Sequence, residues 1–170
     1  MYLLRPIKMA DLKGLLLLSE EAGTGMSTMP LDERTWCRRI LKSKRSFLGQ
    51  LEADEEGVYF MVLEDLKSGE LLGTTAVYSH VGFENAFYSY RLSYLESHSQ
   101  SLNVAYKTRT LSLVNDFHGS TELGSLFLKR SARHSHLGQF LSRARYLLMA
   151  DFPDAFDDML IAELRGCLDE

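Results

Sequence analysis

The spacing of apolar residues changes period along the chain, and each change marks an element. Residues 2–8, YLLRPIK, read as a short mixed strand. Residues 10–23, ADLKGLLLLSEEAG, carry Leu12, Leu15, Leu16 and Leu18 as a broad helical stripe, and Gly23 supplies a stop. Residues 31–49 predict a second helix, with Trp36, Ile40 and Leu41 on one face and basic residues on the other. Asp32 and Glu33 fall in its first turn, where negative charge favours the helix dipole. The pattern then turns β-like. Residues 57–65 and 70–82 are rich in β-branched and aromatic side chains and are joined by LKSG, which predicts a hairpin. Residues 86–97 alternate aromatic and polar, so Tyr88, Tyr90 and Tyr94 read as one packed sheet face. Residues 109–115 and 121–129 predict two strands flanking the turn DFHG, followed by a helix at 137–151 and a last strand at 158–166. Segregated runs of this kind predict an α+β domain, with helices packed on a mostly antiparallel mixed sheet.

Composition narrows the class. A chain of 170 residues and 19.3 kDa fits one domain, 1–170, that buries roughly two-thirds of its unfolded surface. Nineteen basic against 23 acidic residues give a net charge of −4, which argues against a nucleic-acid partner. A basic cluster at Lys129, Arg130, Arg133, Arg143 and Arg145 does not change that balance, and Arg143 and Arg145 read as solvated charges flanking a packed face. Arg5, Lys8, Asp11 and Lys13 interrupt the N-terminal apolar run, and no stretch approaches the roughly 18 apolar residues of a membrane span. Cys37 and Cys167 lie far apart and form no metal-ligand pattern, so the expectation is a reduced, cytoplasmic protein.

The segment TELGSLFLKRSARHSHLGQFLSRARYLLM (121–149) carries the candidate chemistry. Leu137, Phe140, Leu141, Ala144, Leu147 and Leu148 follow helical spacing, so one face of this helix is expected to pack on the sheet. Gly138 lies in its first turn, and Ser131, Arg133, His134, Ser135 and His136 precede it. Free amides at a helix start, a positive dipole end and an adjacent arginine make an anion site. The plain alternative is a solvated basic loop. The five histidines, His80, His98, His118, His134 and His136, form no ligand set with an acidic or Cys partner, so no metal is expected.

Several blocks together resemble the arginine N-succinyltransferases: LLRPIK, GTGMSTMP, YFMVLEDLKSGELLGT, FYSYRLSYLESHSQSLNV, LVNDFHGSTELGSLFL and AELRGCLDE. The resemblance runs from about residue 3 to residue 170, and the combination of Tyr88, Tyr90 and Arg91 with the 115–123 block is the most specific part. It implies a GNAT-like acyltransferase fold. It also implies transfer of a succinyl group from succinyl-CoA to the α-amino group of L-arginine, in arginine catabolism, with no tightly bound cofactor. In such folds the acyl donor's pantetheine arm pairs with the strand that here holds Leu126, Phe127 and Leu128. The diphosphate would rest on Arg133, His134, Ser135 and Gly138. The GNAT loop pattern R-x-x-G-x-G departs here, because His136 stands at its first glycine. The family's Asn-Asp-His-Thr-Gly turn reads Asn115-Asp116-Phe117-His118-Gly119, with its histidine displaced by one place.

The reaction so implied needs an amine freed of its proton, a donor to the thioester oxygen and a proton for the departing thiolate. Backbone amides of 125–128 are the candidates for the oxygen. Glu122 and then His118 are the candidates for the amine proton; a solvent-facing strand carboxylate is the plain alternative for Glu122. Asp116 or Glu84 would hold the guanidinium of arginine, and Arg91 the succinyl carboxylate. Family members continue past this length, with the histidine regarded as their proton donor in the later part. The chain is therefore expected to be an N-terminal GNAT-like part, ending before the last helix and strand of that fold, and to form homo- or hetero-oligomers. A catalytically incomplete CoA-binding or inter-subunit module is the alternative reading, and arginine against ornithine as acceptor stays open.

Overall fold

The computed structural model describes residues 1–23, 25–134 and 136–164. Strands β1 (Tyr2–Pro6), β2 (Gly57–Asp65), β3 (Glu70–Ser79), β6 (Thr121–Leu128) and β7 (Leu160–Ile161) form one sheet in the order β1-β2-β3-β6-β7. The first four run antiparallel to their neighbours, and β7 lies parallel to β6. Helices α1 (Leu12–Ala22) and α2 (Glu33–Phe47) share a core with the sheet, and α3 (Leu137–Asp151) packs on β3 and β6 with a second one. The predicted α+β class with a mostly antiparallel mixed sheet is what forms.

Each helix is positioned by side chains that sequence alone identifies. Trp36 is fully buried on α2, meets Phe60 edge-on at 5.3 Å, and donates its indole N–H to the Pro30 carbonyl at 2.8 Å. Asp32 is the N-cap of α2, because its carboxylate accepts from the Thr35 amide at 2.7 Å. At the opposite end of the core, Arg5 bridges Asp11 (2.7 and 2.8 Å) and Glu64 (2.7 Å), tying the first strand to the start of α1. Asp11 above all holds the Arg5 guanidinium above its ordinary pKa.

Several expectations need correction. Strands β4 (Ser89–Ser99) and β5 (Val104–Val114) stand outside the main sheet as a two-stranded ribbon. The segment after DFHG pairs with β3, not with its sequence neighbour, because Phe127 and Leu128 then reach the two cores. Tyr88, Tyr90 and Tyr94 are accordingly exposed, since aromatic alternation specifies a face without specifying what covers it. On α3 the buried residues are Leu137, Leu141 and Arg145, at i, i+4 and i+8, while Phe140 and Leu147 are exposed. Arg145 is thus 7 % exposed and not a solvated flank, and burial lowers the pKa of its guanidinium. The predicted strand at 158–166 is ordered as a strand only at Leu160–Ile161; its last residues and Cys167 lie outside the described residues.

Candidate functional site

Strand β6 is where the sheet opens. Against β3, Phe127 pairs with Thr74 and Gly124 with Ala76, so Ser125 and Leu126 together oppose the single residue Thr75. That is a β-bulge, which bends a strand and re-aims its groups. Ser125 sits at φ 51°, in the left-handed region that L residues avoid at a cost on the order of 1–3 kcal/mol. Two hydrogen bonds hold it there. The Thr74 hydroxyl donates to the Ser125 carbonyl at 2.7 Å, and Tyr78 Oη shares a 2.6 Å hydrogen bond with Ser125 Oγ. The ring of Tyr78 lies against Gly124, where an added Cβ would meet Cε2 at 2.8 Å. Burial pushes the Tyr78 phenol above its ordinary pKa.

On its other edge β6 is paired with β7 only at Thr121 and Glu122. Beyond Glu122 that edge has no strand beside it among the described residues. A cleft of about 600 Å³ runs there, lined by Leu126, Phe127 and Leu128 and then by Arg133, His134, His136, Leu137 and Gly138, with Met26 from the α1–α2 loop opposite. Arg133 is anchored by donating its Nε–H to the Leu128 carbonyl at 2.9 Å. The side chain of His136, the N-cap of α3, makes no capping hydrogen bond, and His136 adopts a left-handed turn at φ 62°. A left-handed residue at this place explains why the related loop pattern prefers glycine. The first-turn amides of α3 therefore face an open, basic-rimmed cleft, suited to an anion.

Leu126, Phe127, Leu128, Arg133, His134 and Gly138, the predicted donor-binding residues, are thus brought together around one cavity. Ser135 lies outside the described residues. The remaining candidates are elsewhere. Glu122 is half-buried on β6 opposite Tyr78, at the end of the strand away from α3. The His118 ring stacks on Phe83 at 5.0 Å near the base of the ribbon. Arg91 and Asp116, expected to meet opposite substrate charges, pair with each other at 2.6 Å on the exposed surface. Glu84 is likewise paired, with Lys42. Neither Tyr78 nor Thr74 stood out in sequence. The available signal was Gly124 inside an otherwise apolar strand, a mark of a bulge or a close approach. Among the described residues no cluster of His, Cys, Asp or Glu is arranged to hold a metal ion, and no helix is long and apolar enough to cross a membrane.

Comparison with known proteins agrees with this architecture. The arginine N-succinyltransferase beta subunit family matches residues 2–170. Arginine N-succinyltransferase subunit beta of Pseudomonas aeruginosa is 40% identical over 168 residues, 99% of this chain and 49% of its own length. Arginine N-succinyltransferase of Enterobacter sp. (strain 638) is 38% identical over 170 residues, covering 100% of this chain and 49% of that protein. The solved arginine/ornithine succinyltransferase subunit AI of Pseudomonas aeruginosa superposes with a TM-score of 0.92 at 35% identity, over 100% of this chain and 52% of that one. A Trypanosoma brucei acetyltransferase shares the fold at a TM-score of 0.52 and 13% identity, covering 97% of this chain and 84% of its own. The fold is therefore GNAT-like, as expected. The chain spans about half the length of the curated relatives it matches (49%). With residues 2–170 matching the family and the described architecture superposing on a solved member, the chain belongs to the arginine N-succinyltransferase beta subunit family.

Proposed function

We propose that this chain is the acyl-donor half of a transferase that moves a succinyl group from succinyl-CoA to the α-amino group of L-arginine. The single observation that carries the reading is the cleft in which the edge of β6 beyond Glu122, without a neighbouring strand among the described residues, leads into the start of α3. An extended pantetheine arm fits such an edge as an added strand, through main-chain hydrogen bonds. Its diphosphate then meets the amides of Leu137 and Gly138, with Arg133 and His136 at the rim.

The chemistry follows from the bulge. Amides of 125–128 turned toward the cleft polarise the thioester oxygen as it gains charge in the tetrahedral intermediate. The amine of arginine attacks the carbonyl carbon, the C–S bond breaks, and the thiolate takes a proton on leaving. Glu122 accepts the proton of the attacking amine, through water, from the acceptor end of the strand.

None of the acid–base candidates, Glu122 or His118, lines the cleft, and this favours a second reading in which the chain binds the donor without turning it over. Two measurements on the 170-residue chain separate the readings. Calorimetry with succinyl-CoA is expected to show one site per chain, and a thiol-release assay with L-arginine to show turnover. Binding without thiol release selects the donor-binding module. No binding at millimolar succinyl-CoA overturns both.

A further inference from the structure

Arg39 stands on α2, half-buried, with a charge that the fold holds in place but does not pair. Its guanidinium lies 5.0 Å from the Trp36 ring and 5.7 Å from the Phe60 ring, and it donates to the Thr28 carbonyl in the α1–α2 loop. A guanidinium carries five N–H donors. Among the described residues Thr28 supplies the hydrogen-bond acceptor and no carboxylate is paired with Arg39. Arg5, Arg45 and Arg91, by contrast, each meet an acidic side chain. Aromatic faces attract a cation without neutralising it. A planar fork, fixed on two rings and partly withdrawn from water, suits a carboxylate taken by two parallel hydrogen bonds.

We propose that Arg39 receives a carboxylate carried by one of the two reacting groups, an inference that rests on the donor cleft proposed above. Its place in the sheet supports this. Phe60, under the guanidinium, pairs with Ala76, and Ala76 pairs with Gly124, the residue before the bulge. Tyr78 lies against Gly124 and its hydroxyl is bonded to Ser125. Burial above all raises the pKa of that phenol, while the Arg39 charge lowers it and the Glu122 charge raises it, so both charges act at the Tyr78 position. Two strand spacings, about 10 Å, separate Phe60 from Gly124. Both substrate carboxylates reach across that span. A succinyl chain covers about 4 Å from its thioester carbon to its carboxylate carbon, and the bidentate contact adds about 4 Å. An attacking α-amine stands about 3 Å from the thioester carbon, and its own carboxylate lies about 2.5 Å further on. Either would place one negative charge on Arg39, and the same cation would turn the acceptor's guanidinium away from it.

The test is calorimetry on the full 170-residue chain, with Arg39→Gln and Arg39→Lys beside the parent. Two matched pairs of ligands are titrated: succinyl-CoA against acetyl-CoA, and L-arginine against agmatine, which is arginine without its carboxyl group. Arg39→Gln should weaken at least one carboxylate-bearing ligand about 10-fold or more and leave its matched partner within about twofold. A loss confined to succinyl-CoA assigns the succinyl end, and a loss confined to L-arginine assigns the acceptor. Arg39→Lys keeps the charge over the rings and loses the fork, so it preserves the packing of α2 should glutamine disturb it, and it should weaken the same ligand by a smaller factor. Equal weakening within each pair overturns the proposal and makes Arg39 a structural tie on the α1–α2 loop through Thr28. Unchanged binding of all four ligands overturns it as well. If neither CoA ester binds the parent, the donor cleft falls on its own account and the arginine pair decides for Arg39. A parent that binds none of the four overturns both.

Discussion

Replacing Gly138 with alanine separates what the donor cleft needs from what the fold needs. Gly138 is in the first turn of α3, and its φ is not among the positive values in the chain. A Cβ built there meets only Leu128 Cδ2, at 3.9 Å, which is ordinary van der Waals contact. The fold therefore has no use for the missing methyl, and alanine should stabilise the helix, by about 0.5 kcal/mol in a first turn against about 1 kcal/mol in an interior. The ligand is affected in the opposite direction. A phosphate oxygen accepting from these amides must approach to roughly 2.9 Å, and a methyl in front of Gly138 pushes it back. Loss of one charge-assisted hydrogen bond costs about 1.5–3 kcal/mol, which is about 10- to 150-fold in Kd. Urea unfolding measures the first effect and calorimetry with CoA the second, with pantetheine, which has no diphosphate, as the control that should bind unchanged. A variant more stable than the parent that still binds CoA with parental affinity would refute the placement of the diphosphate at α3.

Three further outcomes follow from named contacts. Thr74→Val keeps the shape of a fully buried side chain but leaves the Ser125 carbonyl without its 2.7 Å donor, so it should cost about 1–3 kcal/mol in chemical unfolding and weaken CoA binding as the bulge relaxes. Arg145 is buried, with its described hydrogen bonds going only to Ser142 of its own helix, so Arg145→Met should leave the melting temperature equal or higher; a fall of several degrees would show that the charge is compensated. The Asp32 carboxylate is held below its ordinary pKa, chiefly by the Thr35 hydroxyl and then by its amide. Its stabilisation of α2 is therefore complete above the ordinary carboxylate value near 4 and is lost as pH falls through the lower folded value. Asp32→Ser, a neutral cap, should flatten that acid limb when helicity is followed from about pH 5 to about pH 2, and an unchanged limb would assign it to other groups.

The parts of the molecule that sequence makes legible are those fixed by local period. The helices at 10–23, 31–49 and 137–151 follow from stripes and stop signals, and the donor loop follows from a strand feeding a helix start beside Arg133 and Gly138. What sequence hides is pairing. Alternation in 86–97 is the same whether the face packs on a sheet or stands free, so the separate ribbon has no local signature. Arg91 and Asp116 are 25 residues apart, and only the folded geometry sets them against each other. The bulge at Ser125 depends on β3 supplying Thr74 and Tyr78 from about fifty positions earlier in the chain, across a register no propensity reports. Arg145 is hidden from a sequence reading because a charged residue at an i+8 position weakens a stripe without moving it.

The topology also predicts that donor binding is independent of the exposed surface of the ribbon. The ribbon is inserted between β3 and β6, so its base adjoins Ser79 and Thr121, at the Tyr78 and Glu122 end of the sheet. The donor cleft begins at Leu126 and ends on α3, beyond the other end of β6. Seven rises from Thr121 to Leu128, at roughly 3.3 Å each, separate the two ends by about 23 Å, more than two Debye lengths at physiological salt. A glutamate at Leu92 therefore exerts almost no field on a bound diphosphate, and no packed element carries its effect to α3. Leu92→Glu should bind CoA with an affinity within about twofold of the parent. If that single exposed substitution instead weakened CoA tenfold, the two ends of β6 would have to move as one body, and the bulge at Ser125, midway between them, would be the element that transmits the change.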